Sequence, residues 1–290
     1  MNALRLLALA TLLAGCAGME QGPVRALSDT PVTGFAFPES VGCDAAGGVL
    51  YVSQFGGTEL KPGEKDGLGF VSKVSLGGKV IEKKAFDVTM NKPKGIWMDG
   101  ARLWVTDIDS VWIFDTRTKK SRRLPIPGAV FANDPAVSGG VLYVSDNRAD
   151  QLFSIEPADF LDSGVQPRVT ALWKGKEINP NGLWPARDGS LLMVGLGGGK
   201  PRAIYSQAKG ADPKALSQPI GNLDGLYELA DGAILATDWV TGSLFRWSAK
   251  DGMKTLAKDF KGPADFCVMG ESVYVPDLVK SEIRIIKLGM

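Results

Sequence analysis

One pattern of hydrophobic and polar positions recurs six times along the chain. Each copy has a short apolar segment, a turn, and a second segment in which β-branched or aromatic residues alternate with polar ones. The copies begin at Pro38, Pro93, Asn133, Pro180, Leu223 and Pro263. Their spacing stays close to the period of about 40–45 residues that is typical of four-stranded propeller blades. The pattern therefore predicts an all-β, six-bladed β-propeller.

Further short strands fill each repeat. The second strand is predicted at 49–53, 103–106, 141–145, 191–195, 233–237 and 272–276, and third and fourth strands follow, as at 110–114 and 121–125. The 36 glycines and 17 prolines suit short strands that are joined by tight turns. A β-sandwich or a pair of β domains is the alternative architecture. Neither of these requires one motif at near-constant spacing.

The two ends of the repeat region indicate how the ring closes. The last repeat stops after its third strand, at 282–288, and a blade that lacks one strand leaves an open sheet edge. An extended segment at 32–37 precedes the first repeat without belonging to it. We expect this N-terminal segment to supply the outer strand of the last blade. The propeller domain is then predicted to span 31–290.

The first residues resemble a bacterial lipoprotein signal peptide, predicted at 1–15. Arg5 provides a positive charge, 6–14 is apolar but too short to span a bilayer, and Leu13-Ala14-Gly15-Cys16 is similar to a lipobox. We therefore expect lipidation of Cys16 and a tether over 16–30. Because Ala17 rather than an aspartate follows the cysteine, the expected location is the outer membrane, facing the periplasm. An ordinary signal peptide with a chance cysteine is the alternative.

Charge and composition exclude several classes of function. The 33 basic and 32 acidic residues predict no basic surface for nucleic acid. The chain contains no histidine, which excludes Ser-His-Asp and Cys-His catalysis as well as His-ligated zinc. Chemistry must then rest on carboxylates, amides, lysines or a hard cation, and the expected partner is a small-molecule substrate. Beyond the leader, no apolar run approaches the length of a membrane span, so membrane contact is expected through the lipid alone.

An aspartate follows the second strand in four of the repeats. These residues are Asp107, Asp146, Asp238 and Asp277. One residue type repeated at one position predicts a structural role, in which the carboxylate accepts hydrogen bonds from backbone N–H groups at a turn.

Two cysteines remain in the predicted propeller. Cys43 lies in the first innermost strand and Cys267 in the last, and ring closure makes these strands neighbours. An oxidising periplasm permits a disulfide between them. Because inner strands splay from the axis, the Cα distance can also exceed the bridging limit of about 7 Å. The sequence leaves a disulfide and two free thiols as alternatives.

The candidate site lies where the repeats differ. Innermost strands converge on the propeller axis, and they begin with Glu39, Lys94, Asn133-Asp134, Asn181, Asp224 and Ala264. Carboxylate and carboxamide oxygens suit Ca²⁺, which takes about 6–8 oxygen ligands in irregular geometry. The sequence therefore predicts that Ca²⁺ or another hard divalent cation binds Glu39, Asn133, Asn181 and Asp224. The alternative for Asn181-Gly182 and Asp224-Gly225 is ordinary turn formation.

The same positions resemble the regucalcin/gluconolactonase family of six-bladed propellers. Pro38-Glu39-Ser40, Asn133-Asp134, Asn181-Gly182-Leu183-Trp184 and Asp224-Gly225-Leu226 are similar to the family's short motifs in the first, third, fourth and fifth blades. The resemblance implies that Glu39, Asn181 and Asp224 bind the divalent cation and that Asn133 faces the ion or the substrate. Phe131 stands where sugar-lactone hydrolases of the family often carry an arginine, which argues against a sugar-acid lactone.

The resemblance implies hydrolysis of a lactone or ester. A cation would polarise the carbonyl group, and Asp224 or Asp134 would act as the general base. Lys94 would pair with an acidic neighbour or attract an anionic substrate, and the loop 56–69 is expected to overhang the channel mouth. The alternative function is a non-catalytic binding scaffold, since one fold serves many purposes. The segment 195–201 resembles a phosphate-binding loop only superficially, because Pro201 replaces the Ser or Thr of that motif.

Overall fold

The computed structural model describes residues 25–289, and all regular secondary structure in this part of the chain is β. It therefore contains no helix that could cross a membrane. The predicted leader, Cys16 and the first part of the tether lie outside the described residues.

Twenty-four strands form six four-stranded antiparallel sheets, the blades. The first strand is β1 (Arg25–Thr33). Blade 1 comprises β2 (Pro38–Asp44), β3 (Val49–Gln54), β4 (Phe70–Ser75) and β5 (Val80–Glu82). Blade 2 comprises β6 (Pro93–Asp99), β7 (Arg102–Asp107), β8 (Ser110–Asp115) and β9 (Ser121–Pro125). Blade 3 comprises β10 (Ala132–Ser138), β11 (Val141–Asp146), β12 (Gln151–Glu156) and β13 (Arg168–Lys174).

The remaining blades follow the same order. Blade 4 comprises β14 (Pro180–Pro185), β15 (Leu191–Gly195), β16 (Tyr205–Gln207) and β17 (Lys214–Ala215). Blade 5 comprises β18 (Leu223–Glu228), β19 (Ile234–Asp238), β20 (Ser243–Ser248) and β21 (Gly252–Ala257). Blade 6 comprises β22 (Cys267–Met269), β23 (Ser272–Asp277), β24 (Glu282–Gly289) and, at its outer edge, β1. The six-bladed propeller predicted from the repeats is confirmed.

The outer strand of blade 6 comes from the N-terminal side of the chain. β1 pairs antiparallel with β24, from Arg25 opposite Gly289 to Thr33 opposite Glu282. The predicted segment 32–37 overlaps this strand only at its first two residues, so its predicted bounds were wrong. The tether predicted over 16–30 likewise overlaps β1 at 25–30, where the backbone is paired. The sequence obscured this strand because most of its side chains are exposed and show no apolar alternation.

The hydrophobic core consists of layers between blades. One cluster packs Trp104, Val111 and Ile113 of blade 2 against Leu142, Val144 and Phe153 of blade 3. Comparable clusters fill the interfaces between blades 1 and 2, 3 and 4, 4 and 5, 5 and 6, and 6 and 1. The apolar side chains pack between the blades, and the polar residues at the start of the inner strands lie beside the axis.

The four repeated aspartates have the structural role that was predicted for them. Asp277, which is fully buried, accepts hydrogen bonds from the backbone N–H groups of Lys261, Gly262 and Lys280 at 2.8–3.1 Å. Equivalent bonds reach Asp107, Asp146 and Asp238 from the segments that lead into their own inner strands. Each carboxylate thus ties the second strand to the chain that enters the blade.

Blades 1 and 6 are joined by a disulfide between Cys43 and Cys267, whose Cα atoms lie 5.8 Å apart. Of the two alternatives left open by the sequence, the structure selects the bridge. The inner strands meet closely enough because Val41 N–H donates to the Asp265 carbonyl and Asp265 N–H donates to the Glu39 carbonyl. The bridge spans 224 residues of sequence and joins the first and last blades.

Candidate functional site

A β-bulge interrupts the start of the inner strand in five blades. Register shifts occur between Pro38 and Ser40, Pro93 and Ile96, Ala132 and Pro135, Pro180 and Leu183, and Leu223 and Leu226. A bulge frees residues from strand pairing and redirects their side chains. The freed residues include Glu39, Lys94, Asn133, Asn181 and Asp224, which we call the upper ring. The structure thus brings together at one end of the axis all four residues predicted to bind the cation.

The next residue of each inner strand forms a second layer. We call Ser40, Gly95, Asp134, Gly182, Gly225 and Asp265 the lower ring. The backbone N–H groups of Ser40, Asp134 and Gly225 each donate to a second-strand hydroxyl at 2.9 Å, which shows that these positions are equivalent. Asp134, predicted as a general base, therefore lies one layer away from the other candidate residues.

Two lower-ring glycines explain why turn formation does not account for Asn181 and Asp224. Gly182 and Gly225 lie inside β14 and β18 and do not have a positive φ. A Cβ on Gly182 would collide with the Asp224 carbonyl oxygen, and a Cβ on Gly225 would approach Asp265 to 2.9 Å. Glycine is required here because neighbouring inner strands approach closely. Asn181 and Asp224 are therefore strand residues beside the axis.

Several buried polar atoms of the upper ring have no hydrogen-bond partner within residues 25–289. They are Oε2 of Glu39, Oδ1 of Asp224 and Nδ2 of Asn181. These side chains belong to residues that are at most 5% exposed. The other oxygen of Asp224, Oδ2, accepts a 2.6 Å bond from Trp239 Nε1. Leaving a buried carboxylate oxygen unpaired costs about 1–3 kcal/mol or more, so this arrangement is suited to a bound cation.

The same burial sets the protonation of the upper ring. Burial raises the pKa of Asp224 to about 8 and repulsion from Asp265 adds to the rise, while the Trp239 hydrogen bond and the neighbouring Asn181 side chain oppose it. The pKa of Glu39 is raised well above its usual range, first by burial and then by repulsion from Asp224, while Lys94 acts in the opposite direction. In the absence of a cation, Asp224 therefore favours the protonated form near neutral pH, and burial shifts Glu39 in the same direction.

Lys94 supplies a buried amine beside these carboxyl groups. Its Nζ donates to the Lys92 carbonyl oxygen at 3.0 Å and lies 4.1 Å from the centre of the Phe131 ring. Burial lowers the pKa of Lys94 to about 8, and Glu39 opposes this effect. The guanidinium of Arg148 lies 3.7 Å from the centre of the same Phe131 ring. A cationic group therefore reaches the ring that stands where sugar-lactone hydrolases often carry arginine.

The loop 56–69 contacts blades 2 and 3 at the same end of the propeller as the upper ring. Asp66 accepts a 2.5 Å bond from the buried Lys92 Nζ, and Lys65 pairs with Asp109 of blade 2 at 2.5 Å. Near the tip of the loop, a Cβ on Gly63 would lie 3.0 Å from the Arg148 guanidinium of blade 3. The loop thus reaches from blade 1 to blades 2 and 3.

The lower ring contains two further carboxylates, which link neighbouring blades. Oδ2 of Asp134 accepts from Leu183 N–H at 2.6 Å, and Oδ2 of Asp265 accepts from the Ser40 hydroxyl at 2.6 Å. Burial raises the pKa of both, that of Asp265 to about 7. Each hydrogen bond joins the inner strand of one blade to that of the next.

Sequence reasoning missed three residues of this region. The alignment of the repeats places Ala264, and not Asp265, at the start of the sixth inner strand. The Asn133-Asp134 pair nevertheless indicates that the residue after this position can also be acidic. Trp239 directly follows Asp238, one of the repeated aspartates, so the alignment of the repeats could have identified it. Arg148 carries no signal in the sequence, because its position over Phe131 depends on how a loop of blade 3 folds.

Comparison with known proteins shows the fold. No protein-family model matches the sequence, and no curated protein matches it. A structure of a putative gluconolactonase superposes with a TM-score of 0.64 at 15% identity, covering 91% of each chain. Virginiamycin B lyase from Staphylococcus aureus superposes with a TM-score of 0.62 at 14% identity, covering 90% of this chain and 99% of that one. A catalytically inactive variant of that lyase with quinupristin gives 0.59 at 14% identity.

The superpositions establish the architecture. Sequence identities this low do not establish the chemistry of the site. The two kinds of neighbour match this chain over nearly its whole described length. The chain therefore has the six-bladed propeller fold that the putative gluconolactonase and virginiamycin B lyase share, in agreement with the resemblance that its repeats carry.

Proposed function

We propose that this protein is a divalent-cation-dependent hydrolase of a lactone or ester, with Ca²⁺ as the expected cation. The observation that carries the proposal is the pair of unpartnered buried oxygens, Glu39 Oε2 and Asp224 Oδ1, in one ring at the axis. Ionised carboxylates in such a place need a positive partner. A cation at the upper ring would supply it.

The donor set fits Ca²⁺ better than a softer metal. Glu39 and Asp224 offer carboxylate oxygens, and Asn133 and Asn181 offer carboxamides, whose oxygen and nitrogen exchange places when the amide turns over. Within residues 25–289, no three side chains of the His, Cys, Asp and Glu types cluster as a metal site. The proposed site therefore relies on two carboxylates and two amides, and water or substrate would complete the coordination.

The chain's own residues have distinct roles in the proposed reaction. A bound cation would polarise the substrate carbonyl and stabilise the negative charge that develops on its oxygen. Trp239 holds Oδ2 of Asp224, which leaves Oδ1 to bind or to accept a proton from water. Lys94 and Arg148 favour a substrate that carries negative charge. Asp134 remains the second candidate for the base.

The proposed location is the periplasmic face of the outer membrane, with Cys16 as the lipid anchor. The disulfide between Cys43 and Cys267 supports an oxidising compartment. We expect metabolic labelling with a radioactive fatty acid to mark the wild-type protein but not Cys16→Ser, and the variant to leave the membrane fraction. Labelling of both proteins would contradict the anchor.

A non-catalytic binding propeller is the second candidate, and one observation favours it. Upper-ring residues are at most 5% exposed, and the loop 56–69 is tied down at the same end of the propeller by Lys92 and Asp109. A hydrolase requires this loop to move and admit the substrate. A scaffold that uses the cation only for stability does not.

Thermal unfolding in Ca²⁺ and in EDTA tests the proposal, together with turnover of γ-butyrolactone and 4-nitrophenyl acetate. A ligand at 100 times its Kd stabilises the folded state by about 2.7 kcal/mol, so Ca²⁺ should raise the wild-type Tm by several degrees. The near-isosteric variants Asp224→Asn and Glu39→Gln should lose both this shift and the turnover. Because each variant is neutral at every pH, it avoids the free-energy penalty of ionising a buried carboxyl group, so neither should be less stable than wild type in EDTA.

The matched control is Asp212→Asn, which changes a side chain that is 84% exposed. It should keep both the increase in Tm with Ca²⁺ and the turnover. An increase in Tm with Ca²⁺ but no turnover of either substrate would favour the scaffold. An unchanged shift in both ring variants would contradict the assigned ligands.

A further inference from the structure

A cavity of about 330 Å³ opens at the lower end of the propeller axis. Its walls are the second halves of the inner strands, next to the turns between first and second strands. The volume lies in the range of small-molecule sites, about 300–1,000 Å³. No residue of the upper ring lines it. The cavity is therefore distinct from the proposed cation site, although its lining includes Asp134, the second candidate for the general base.

Aromatic rings form one side of the cavity. Trp97 of blade 2 and Trp184 of blade 4 meet edge to face in front of blade 3, with ring centres 5.3 Å apart. They meet there because the inner strand of blade 3 carries the small Ala136 at the corresponding position. Tyr227 of blade 5 extends the wall, 4.5 Å from Trp184. Faces of such rings attract cations.

Two carboxylates lie at the inner end of the cavity. Asp134 and Asp265 belong to blades 3 and 6, which stand opposite each other in a ring of six, and are 4% and 9% exposed. One oxygen of Asp134 is held by Leu183 N–H. Its other oxygen, Oδ1, accepts no hydrogen bond from the described residues. Asp134, which lines the cavity, thus has one carboxylate oxygen without a hydrogen-bond partner among the described residues.

Among the described residues, the cavity lining offers no positive charge to balance these groups. It includes neither lysine nor arginine, and apart from the two aspartates it is mainly apolar. A metal ion would find too few oxygen ligands here. An organic ammonium would meet carboxylates with its charged end and aromatic rings with its body.

We propose that the lower cavity binds a small organic amine, with an ammonium group between Asp134 and Asp265 and an apolar body against Trp97, Trp184 and Tyr227. The site selects for positive charge and for an aromatic or aliphatic body of a few carbon atoms. Free amino acids fit less well, since their carboxylate would face the two aspartates.

Titration of the intact protein with three matched probes tests this inference. We would follow tryptophan fluorescence and calorimetry with 2-phenylethylamine, 2-phenylethanol and 3-phenylpropionate. The amine should bind saturably and at least about tenfold more tightly than the alcohol, since a hydrogen bond between two charged groups is stronger than one made by a neutral hydroxyl. The propionate should not bind. Equal affinity for amine and alcohol, or no saturable amine binding, would overturn the proposal.

Variants locate the bound amine. Asp265→Asn and Asp134→Asn keep an oxygen for the Ser40 and Leu183 hydrogen bonds, and each should weaken amine binding by about tenfold or more. Asp224→Asn, in the upper ring, should change amine affinity by much less than either lower-ring variant, because Asp224 does not line the cavity. Loss of amine binding in Asp224→Asn with retention in both lower-ring variants would place the amine in the upper ring and sink the inference. If one aspartate variant does not fold, the other and the wild-type probe series still decide it.

Discussion

At the scale of single residues, the indole of Trp239 sets the chemistry of Asp224. It occupies Oδ2 of that carboxylate and leaves Oδ1 without a partner in a buried ring. Glu39 likewise has one carboxylate oxygen, Oε2, without a hydrogen-bond partner. Burial consequently raises the pKa of both carboxyl groups, so each loses its proton less readily unless a cation binds beside it. Affinity for a cation and dependence on pH therefore have one cause here, which is burial without a partner.

Stability without cation should fall as pH rises. The pKa of Asp224 is about 8 in the folded protein against an ordinary value of 3.8. Between these values the unfolded chain has lost the proton while the folded chain keeps it, so deprotonation favours unfolding. Urea unfolding in EDTA should show a falling free energy of unfolding from about pH 4 to pH 8. Asp224→Asn should reduce that slope, and an identical slope in the variant would contradict the assignment.

At the scale of elements, four of the six blades are each held by one carboxylate at the end of the second strand. Asp277, for example, accepts hydrogen bonds from three backbone N–H groups that belong to two different turns. In blade 1 the carboxamide of Gln54 replaces the aspartate and accepts from Ala36 N–H at 2.7 Å. These side chains fasten the chain that enters the blade, and thereby fix where the upper ring begins.

Removing one such carboxylate should destabilise the protein without touching the axis. Asp277→Ala leaves the buried N–H group of Gly262 and the partly buried N–H group of Lys261 without this partner, at a cost of about 1–3 kcal/mol in the free energy of unfolding. Urea unfolding measures the loss. Asp212→Ala, on an exposed side chain, is the control and should change stability by less than about 0.5 kcal/mol. Equal stability of the two variants would refute the structural role.

At the scale of the whole molecule, the ring is closed by two devices at blade 6. β1 covers the edge of β24, and Arg284 binds Asp29 across this pair. The disulfide joins the inner strands of blades 1 and 6 at the same closure. An outer strand and an inner bridge thus fasten the first and last parts of the chain at opposite edges of one sheet.

Opening the bridge should therefore weaken the whole propeller. Loss of a native disulfide typically costs about 2–5 kcal/mol, and the loop closed here is long. The double variant Cys43→Ser/Cys267→Ser should unfold at lower urea concentration than wild type under oxidising conditions. With a reductant present, the difference between the two proteins should disappear. A difference that persists in reductant would show that serine packing, rather than the bridge, is responsible.

The sequence was sufficient to predict the number of blades, the order of strands and the polar residues at the axis. Alternation of apolar and polar side chains is a local property, and six repetitions made it unambiguous. The same comparison of repeats separated the aspartates that recur in four blades from the residues that differ, such as Glu39 and Asn181. The sequence was insufficient to give the bounds of β1, because the position of this strand depends on pairing with β24 at the other end of the chain.

Only the tertiary structure decided which polar atoms lack partners and which residues face each other. Whether Glu39 Oε2 is satisfied, whether Cys43 reaches Cys267, and whether Asp134 stands opposite Asp265 depend on how blades approach around the axis. That approach is governed by packing between blades and by glycines such as Gly182, where a missing side chain lets two backbones come together. Local sequence specifies each blade, and the fit between blades specifies the site.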